Sequence, residues 1–315
     1  MVKYVERGGE QVFAAPFRQT GTRLRAWPLW ADRGALQRLC DRYFNEPSGG
    51  AVDYRALFPF VLLAVAPIEA TRALTPPDSG YGYTPETDVA FWIPIARGHV
   101  EKGVWKLDKI VWFLPYVWVD VPTTMATGRE VYGYPKELAY LEGPAGEDDS
   151  LVLHAETMVL PVHEPTTELV RAPILEIRRG ARGKKALGSI AEAFAELITQ
   201  ASNLDRDLRR ALECDLLGLE VSMVFLKQFR DIVDPTAACY QAIIESPARV
   251  ERISGGSLLI GPTTIAIWDY ASHPIARDLG LGTPSGGKLV LTSRFGFEVD
   301  FDFIVDLGTV IWQAT

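Results

Sequence analysis

Histidine and cysteine are both scarce in this sequence of 315 residues, which contains four histidines and three cysteines. The cysteines, Cys40, Cys214 and Cys239, are too few and too widely spaced for a disulfide framework or a structural zinc site. The sequence also lacks an HExxH pair and an acidic metal-binding loop. These absences argue against a metalloenzyme, and we expect no metal site.

Motifs of other common enzyme classes are missing as well. There is no Gly-x-Ser-x-Gly elbow and no dinucleotide-binding glycine fingerprint after a strand. The pair Gly183-Lys184 does not complete a phosphate-binding loop, because Arg178 stands where the first glycine is required. The sequence therefore lacks the usual signatures of hydrolases and NAD enzymes.

A net positive charge and long apolar runs are lacking too. The formal net charge is −8, which argues against a nucleic-acid surface. The N-terminal residues show no apolar run of the kind a signal peptide needs, and no run of about 18 apolar residues suggests a membrane span. We expect a cytoplasmic protein without a nucleic-acid or membrane partner. An anionic ligand would need a local cationic pocket.

What the sequence does contain is mainly β-structure. Apolar runs rich in aromatic and branched residues predict strands buried on both faces at 57–66, 89–95, 110–118, 151–160, 223–229 and 258–268. Turns rich in glycine and proline separate them. This pattern favours a largely antiparallel β-sheet system that can close as a barrel.

The segment 295–303 alternates strictly between phenylalanine or valine and other residues. Glu298, Asp300 and Asp302 all fall on the second face. A period of two places alternate side chains on opposite faces of a strand. We therefore predict one apolar buried face and one acidic solvated face.

Two segments have helical spacing instead. Residues 32–44 predict a short amphipathic helix with Cys40 on its apolar face. Residues 189–217 predict a longer helical region, and Ser189 with Glu192 forms a capping box at its start. We interpret residues at about 181–217 as a helical insertion that lies against the sheet or at a subunit interface.

The most informative stretch surrounds Lys136. This lysine follows Pro135 and lies among Tyr132, Tyr134 and Tyr140. A single lysine in such a place is usually a surface residue whose alkyl stem covers apolar atoms. Composition and spacing alone do not make it catalytic.

The surrounding motif, however, resembles a known family. Gly-Arg-Glu at 128–130 followed by Tyr-Pro-Lys at 134–136 is similar to the signature of the acetoacetate decarboxylase superfamily. Tyr-Thr-Pro-Glu at 83–86 resembles the family segment that supplies an active-site glutamate. Looser similarities at 239–248, 261–263 and 267–271 extend the resemblance from about Arg23 to Asp306.

The resemblance implies a single α+β domain over 1–315, predominantly antiparallel β and closed or nearly closed as a β-barrel of the acetoacetate decarboxylase type. It also implies a homo-oligomer, a small keto-acid substrate and no cofactor. Lys136 would be the nucleophile that forms a Schiff base, and Glu86 would transfer a proton or orient the substrate. Four further residues are candidates for substrate binding: Tyr132, Tyr83, Arg23 and Arg25. Either arginine suits a substrate carboxylate.

Two more residues of the motif are predicted to support the site. Arg129 and Glu130 are interpreted as an ion pair that fixes the loop before the lysine. They would thus act on the position of Lys136 without contacting the substrate.

Activation of the lysine is the physical difficulty. An ordinary lysine pKa of about 10.4 leaves little neutral amine at pH 7. The family's decarboxylases carry a second lysine after the nucleophile, whereas this sequence has Glu137. In extended backbone Glu137 would face away from Lys136, so we predict that desolvation depresses the lysine pKa. The family's second acidic residue, expected near 60–63, is absent, and Glu69 is displaced from that position.

Three functions remain open from the sequence. The first is decarboxylation of a small β-keto acid. The second keeps the Schiff base but performs an aldol condensation and dehydration on pyruvate-like acids. The third is a non-catalytic barrel that binds an apolar small molecule, with Lys136 at its rim.

Overall fold

The structure, a computed structural model, describes residues 3–5, 12–143, 151–180, 183–186 and 220–314. The predicted helical region 189–217, and Cys214 within it, lie outside the described residues. The described strands are β1 (Phe17–Trp30), β2 (Asp53–Arg55), β3 (Phe60–Ala73), β4 (Thr84–Glu101), β5 (Val104–Val119), β6 (Lys136–Leu138), β7 (Tyr140–Glu142), β8 (Leu151–Val159), β9 (Val170–Arg179), β10 (Lys184–Ala186), β11 (Glu220–Arg230), β12 (Ala238–Trp268), β13 (Lys288–Val305) and β14 (Thr309–Gln313).

The described helical segments are short. They are α1 (Arg33–Cys40), α2 (Pro122–Thr127) and α3 (Ile275–Asp278), together with π-helical turns at Asp41–Asn45 and Gly128–Tyr132 and a 3₁₀ turn at Asp78–Gly80. None of the helices in the described ranges has the length and apolar character needed to cross a membrane.

The long strands form a ring. Their order is β11-β5-β4-β3-β1-β13-β12, and β12 pairs again with β11. The pairs are antiparallel except for β5 with β11, which is parallel. The predominantly antiparallel β fold is therefore confirmed. Where the sequence predicts a closed or nearly closed barrel, the structure shows a ring of strand pairings.

The apolar runs of β3, β4 and β5 are buried on both faces, as predicted. The same prediction is wrong for β8, which alternates and exposes Val152 and Met158, and for the run 258–268, which exposes Ile260. On β3, Val61 and Leu63 pack into one apolar cluster with α1, β8 and β9, whereas Leu62 and Ala64 belong to a second cluster inside the ring. The strand begins at Phe60, three residues later than the apolar run.

The predicted amphipathic helix is present as α1 and the π turn that follows it. The Asp32 side chain accepts a hydrogen bond from the Ala35 N–H (2.7 Å) and so caps the first turn. Leu36, Cys40 and Phe44 are fully buried on its inner face.

The acidic face of β13 is ion-paired and in part buried, whereas its alternation predicts a solvated face. Glu298 is buried and pairs with Arg25 at 2.6 Å, while Asp300 pairs with Arg23 at 2.8 Å. β1 lies beside β13 with Arg23 opposite Asp300 and Arg25 opposite Glu298. Charges on neighbouring strands therefore neutralise each other across the ladder.

Candidate active site

A cavity of about 220 Å³ lies inside the ring and is lined by side chains from each of its strands. On β1, β3 and β4 the lining residues follow the two-residue period of a strand, apart from bulges near Gly21 and Glu69. Most of the lining is apolar. The charged side chains of the lining are Glu86, Asp88 and Lys136.

Lys136 is the first residue of β6, which pairs in parallel with β5 so that Lys136 lies beside Val117. Before it, Gly133 has a φ of +85°, and a Cβ there would lie 2.6 Å from the Cα of Lys227. Glycine is required because it tolerates both the left-handed backbone and this close approach. The turn thus directs the next residues back along β5.

The packing around Gly128 explains why the Gly-Arg-Glu motif begins with glycine. A Cβ on Gly128 would lie 2.8 Å from Lys136 Cδ, closer than packed carbon atoms approach each other. The backbone of the π turn therefore leaves a channel for the alkyl stem of the lysine. Arg129 adds a second constraint, because its Nη1 donates a hydrogen bond to the carbonyl oxygen of Lys136 at 3.1 Å.

The lysine amine reaches two carboxylates on β4. Lys136 Nζ lies 3.0 Å from Glu86 Oε2 and 3.3 Å from Asp88 Oδ1. Glu86 and Asp88 are two residues apart on one strand, so both side chains point into the cavity. The Nζ atom also lies 5.8 Å from the centre of the Tyr134 ring.

Glu86 is held in place by neutral donors from neighbouring strands. Its Oε1 accepts hydrogen bonds from Gln19 Nε2 (3.0 Å) on β1 and from Thr71 Oγ1 (2.9 Å) on β3. Buried charges need such partners to remain ionised. The Glu86 carboxylate is therefore oriented from three sides.

The electrostatics of Lys136 differ from the prediction. Burial by itself lowers the pKa of Lys136, but Asp88 and Glu86 outweigh it and raise the pKa above its ordinary value. Desolvation alone therefore does not activate this amine. In the resting site Lys136 is an ammonium held between two carboxylates.

The two carboxylates differ in their pKa. Burial acts to raise the pKa of Glu86, but the charge and hydrogen bonds of Lys136, with the Thr71 hydroxyl, bring it below its ordinary value. Burial raises the pKa of Asp88 to about 7, because the attraction of Lys136 does not compensate for desolvation and for the nearby Glu86 charge. Asp88 therefore exchanges a proton near neutral pH.

Glu137 faces away from the cavity, as its position after Lys136 in extended backbone predicts. Its Oε2 lies 2.7 Å from His273 Nε2, while Lys136 lines the cavity from the neighbouring position. The carboxylates that raise the lysine pKa are Asp88 and Glu86, and Glu137 contributes to a separate contact.

The structure brings Lys136, Glu86 and Tyr132 to one cavity, as the sequence predicts. The Tyr132 ring lines the wall, but its hydroxyl donates to the carbonyl oxygens of Asp306 (3.0 Å) and Val305 (3.3 Å). Burial raises the pKa of this phenol above its ordinary value. The hydroxyl is therefore engaged with the backbone, and Tyr132 contributes its ring to the cavity wall.

Three predicted substrate-binding residues lie elsewhere. Arg23 and Arg25 face away from the cavity lined by Leu24 and Ala26, and each pairs with a carboxylate of β13. Tyr83 is 59% exposed and stacks with the guanidinium of Arg72. Their predicted binding of substrate in this cavity is wrong. Strand alternation turns the two arginines away from the cavity, and the Tyr83 side chain is exposed before β4 begins.

The predicted ion pair between Arg129 and Glu130 is also wrong. Glu130 Oε1 accepts a hydrogen bond from the Tyr4 hydroxyl at 2.9 Å, whereas Arg129 holds the Lys136 carbonyl. Arg129 still fixes the loop of the lysine, but it does so through the backbone.

Asp88 is the site residue that sequence reasoning missed. It supplies the second acidic group that the resemblance leads one to expect near 60–63, and it does so from β4. The signal is the spacing itself. Once residue 86 is placed on a strand and faces a cavity, residue 88 must face it too.

Comparisons with known proteins agree with this fold. No family model and no curated protein matches the sequence significantly. An acetoacetate decarboxylase from Legionella pneumophila superposes with a TM-score of 0.63 at 14% identity, covering 98% of this chain and 92% of that one. A second structure of acetoacetate decarboxylase superposes with a TM-score of 0.58 at 16% identity, covering 96% and 92%.

A third similar structure is an acetoacetate decarboxylase-like enzyme from Sphingomonas wittichii RW1. Its TM-score is 0.56 at 14% identity, covering 96% of each chain. The chain therefore has the acetoacetate decarboxylase-like fold, as the lysine motif predicts. At this identity the comparison establishes the fold, and the reaction has to be argued from the site.

Proposed function

We propose that the protein is a Schiff-base lyase that decarboxylates a β-keto acid through Lys136. The observation that carries this proposal is the position of the lysine amine, inside an apolar cavity and within 3.3 Å of two carboxylates. An amine that attacks a ketone must first lose a proton and later return one to the departing oxygen. The carboxylates of Glu86 and Asp88 can perform both transfers.

The first step is formation of the imine. Asp88, the more basic of the two carboxylates, takes a proton from the Lys136 ammonium as the amine adds to the ketone, and this transfer is uphill because the pKa of Lys136 lies above its ordinary value. The proton then returns to the carbinolamine oxygen as it leaves as water. The net result converts an ammonium and a ketone into an iminium ion and water.

The second step is loss of carbon dioxide. The bond between the α-carbon and the substrate carboxylate breaks, and its electron pair moves into the iminium to give an enamine. Because Glu86 and Asp88 already carry negative charge, a third carboxylate beside them is disfavoured, and its departure as a neutral molecule relieves that repulsion. The electrostatics of the site thus favour decarboxylation.

The last step returns the enzyme to its resting state. Asp88 takes up a proton from water, as its pKa of about 7 allows, and donates it to the enamine carbon. Water then hydrolyses the iminium to release the ketone product and the ammonium form of Lys136. Every step uses groups of this chain, the substrate and water.

Reduction with borohydride tests the proposal. Incubation with acetoacetate and borohydride should leave a stable secondary amine on Lys136, detected by peptide mass mapping. Lys227 is the matched control, because it is a partly buried lysine whose pKa burial lowers and whose amine donates to the Val131 carbonyl. An adduct on Lys227 but not on Lys136, or no adduct with any keto acid, would contradict the proposal.

Aldol condensation followed by dehydration is a second candidate, and one observation favours it. Asp88 exchanges a proton near neutral pH, as the repeated proton transfers of an aldol reaction require. Pyruvate with an aldehyde would then give a condensed product with no release of carbon dioxide. Measuring carbon dioxide from acetoacetate and condensed product from pyruvate separates the two reactions.

A further inference from the structure

We propose that the substrate carries an apolar group several carbons long beyond its carbonyl, and that a subsite walled by four alanines receives it. This inference rests on the proposed function, since it specifies the substrate of the same site. The subsite, called here the alanine wall, consists of Ala26, Ala64, Ala66 and Ala90.

The first three alanines lie side by side at one level of the ring. Ala26 on β1 is paired with Ala64 on β3, and Ala64 is paired with Ala90 on β4. All three line the cavity. The three strands β1, β3 and β4 therefore present methyl groups at this level, between Phe297 of β13, which is paired with Ala26, and Val117 of β5. This leaves space where three larger apolar residues would otherwise meet.

The same level leads directly to the lysine. Ala90 is paired with Val117 on β5, and Val117 is paired with Lys136 on β6. The fourth alanine, Ala66, is paired with Asp88 one level away. The alanine wall thus borders both the nucleophile and its acid–base partner, so a carbonyl bound at Lys136 has this free space beside it.

Aromatic side chains close the space beyond the alanines. Leu62 and Trp92 are paired two residues further along β3 and β4, and the Trp92 ring meets the Trp112 ring edge to face, with centroids 6.2 Å apart. From Asp88 to Trp92 the strand advances about 13 Å at its usual rise per residue. That length exceeds what a four-carbon acid needs.

The chemistry of the lining selects an apolar occupant. Within the described lining, Lys136 is the only cationic side chain, and it is already needed at the carbonyl. A second anionic group on the substrate would have no partner there. A closed apolar cavity of about 150 Å³ takes up benzene, and this cavity measures about 220 Å³.

The chain-length dependence of imine formation tests the proposal. Straight-chain β-keto acids of four, six and eight carbons are reduced onto Lys136 with borohydride, and the half-saturating concentration is measured. Burial of a methylene group lowers this concentration about fourfold, so each pair of carbons should lower it about 16-fold. Equal half-saturation for all three acids would overturn the proposal.

Filling the space tests its location. Ala64→Leu should abolish the preference for longer acids, whereas Ala73→Leu should keep it, because Ala73 lines the opposite part of the cavity on the same strand. Ala64→Val and Ala90→Val serve as smaller changes if the leucine variant does not fold. A variant of Ala64 or Ala90 that folds and keeps the full preference would refute the subsite.

A binding measurement separates failure of this inference from failure of the proposed function. Heptan-2-one has the apolar group without a carboxylate, and its binding to Lys136→Gln should quench tryptophan fluorescence at Trp92 and Trp112 at a lower concentration than butan-2-one does. If no acid forms an adduct but heptan-2-one binds in this way, the Schiff-base function fails and the subsite stands. If adducts form on Lys136 but chain length changes neither the half-saturation by acids nor the binding of ketones, the subsite is refuted while the Schiff-base function stands.

Discussion

Glu137 Oε2 lies 2.7 Å from His273 Nε2 on the side of β6 that faces away from the cavity. His273 is buried, and its Nδ1 lies 2.8 Å from Ser272 Oγ. The residue after the candidate nucleophile therefore attaches β6 to the loop before α3. Adjacent residues of one short strand thus serve the cavity and the fold separately.

Replacing Glu137 tests this separation. Glu137→Gln should leave the pH dependence of imine trapping at Lys136 unchanged, because its carboxylate does not face the amine. The His273→Ala variant should lower the free energy of unfolding by about 0.5–3 kcal/mol, since it removes a buried imidazole together with its contacts to Glu137 and Ser272. A shift of the pH profile in Glu137→Gln would show that this carboxylate does act on Lys136.

Gly128→Ala should impair the lysine without removing it. The added methyl group would lie 2.8 Å from Lys136 Cδ, and overpacking of this kind costs about 1–3 kcal/mol of stability. Displacement of the amine by about 1 Å can reduce the rate about 100-fold. Chemical denaturation and the rate of borohydride trapping measure the two effects.

Gly180→Ala is the matched control for that substitution. Gly180 is exposed, and a Cβ there would meet no atom within 4 Å. The control should therefore keep both stability and trapping rate. A Gly128→Ala variant that matched it in both measurements would contradict the packing described for the lysine stem.

Asp88→Asn should remove a pH dependence centred near neutrality. The pKa of Asp88 is raised to about 7, so its carboxylate, the proposed base, forms as pH rises through that value. In the wild type the trapping rate should rise up to about pH 7 and then level. The variant should lose this inflection and about 100- to 10,000-fold in rate. An unchanged inflection would assign it to another group.

Stability should show the same titration with the opposite sign. Because the pKa of Asp88 is raised in the folded state, the fold is more stable with the carboxyl protonated than with it ionised. This contribution to stability is complete below the unfolded-state pKa of about 3.9, and it is lost as pH rises through the folded-state pKa. The wild type should therefore lose stability relative to Asp88→Asn between about pH 4 and pH 7. Thermal melts of both proteins across this range measure the difference.

The arginines of β1 should affect folding without affecting substrate. Arg25 and Glu298 form a buried pair, with side chains 6% and 9% exposed, whereas Arg23 and Asp300 are about a third exposed. Arg25→Met should cost about 3–5 kcal/mol and Arg23→Met about 0–1 kcal/mol. Half-saturation for keto acids in the folded variants should stay at the wild-type value. A large increase would restore these residues as substrate ligands.

Tyr132→Phe distinguishes a packing role from an acid role. The hydroxyl donates to two backbone carbonyls, so its removal should cost about 0.5–1.5 kcal/mol of stability. The ring would still line the cavity, and the trapping rate should remain within about twofold, because the proton transfers are assigned to Asp88 and Glu86. Loss of trapping in a folded variant would assign the hydroxyl to the chemistry.

Most of the fold could be predicted from apolar pattern. The long runs around Phe60, Phe91 and Trp112 occur in ring strands, because a strand covered on both faces needs apolar residues throughout. β1 was not predicted, since its arginines interrupt the run. Those arginines are compatible with a central strand only because β13 supplies carboxylates beside them.

The sequence by itself singled out Lys136 and Glu86 as separate candidates, through the motif and its resemblance, and predicted the outward direction of Glu137, through strand alternation. Their contact at 3.0 Å came from the structure. Only the tertiary structure decided what surrounds the amine. Asp88 enters the site, and Arg23 and Arg25 leave it, because the register between strands sets which faces meet. The pKa of Lys136 follows from those distances, since charge interactions depend on spatial separation and not on spacing along the chain.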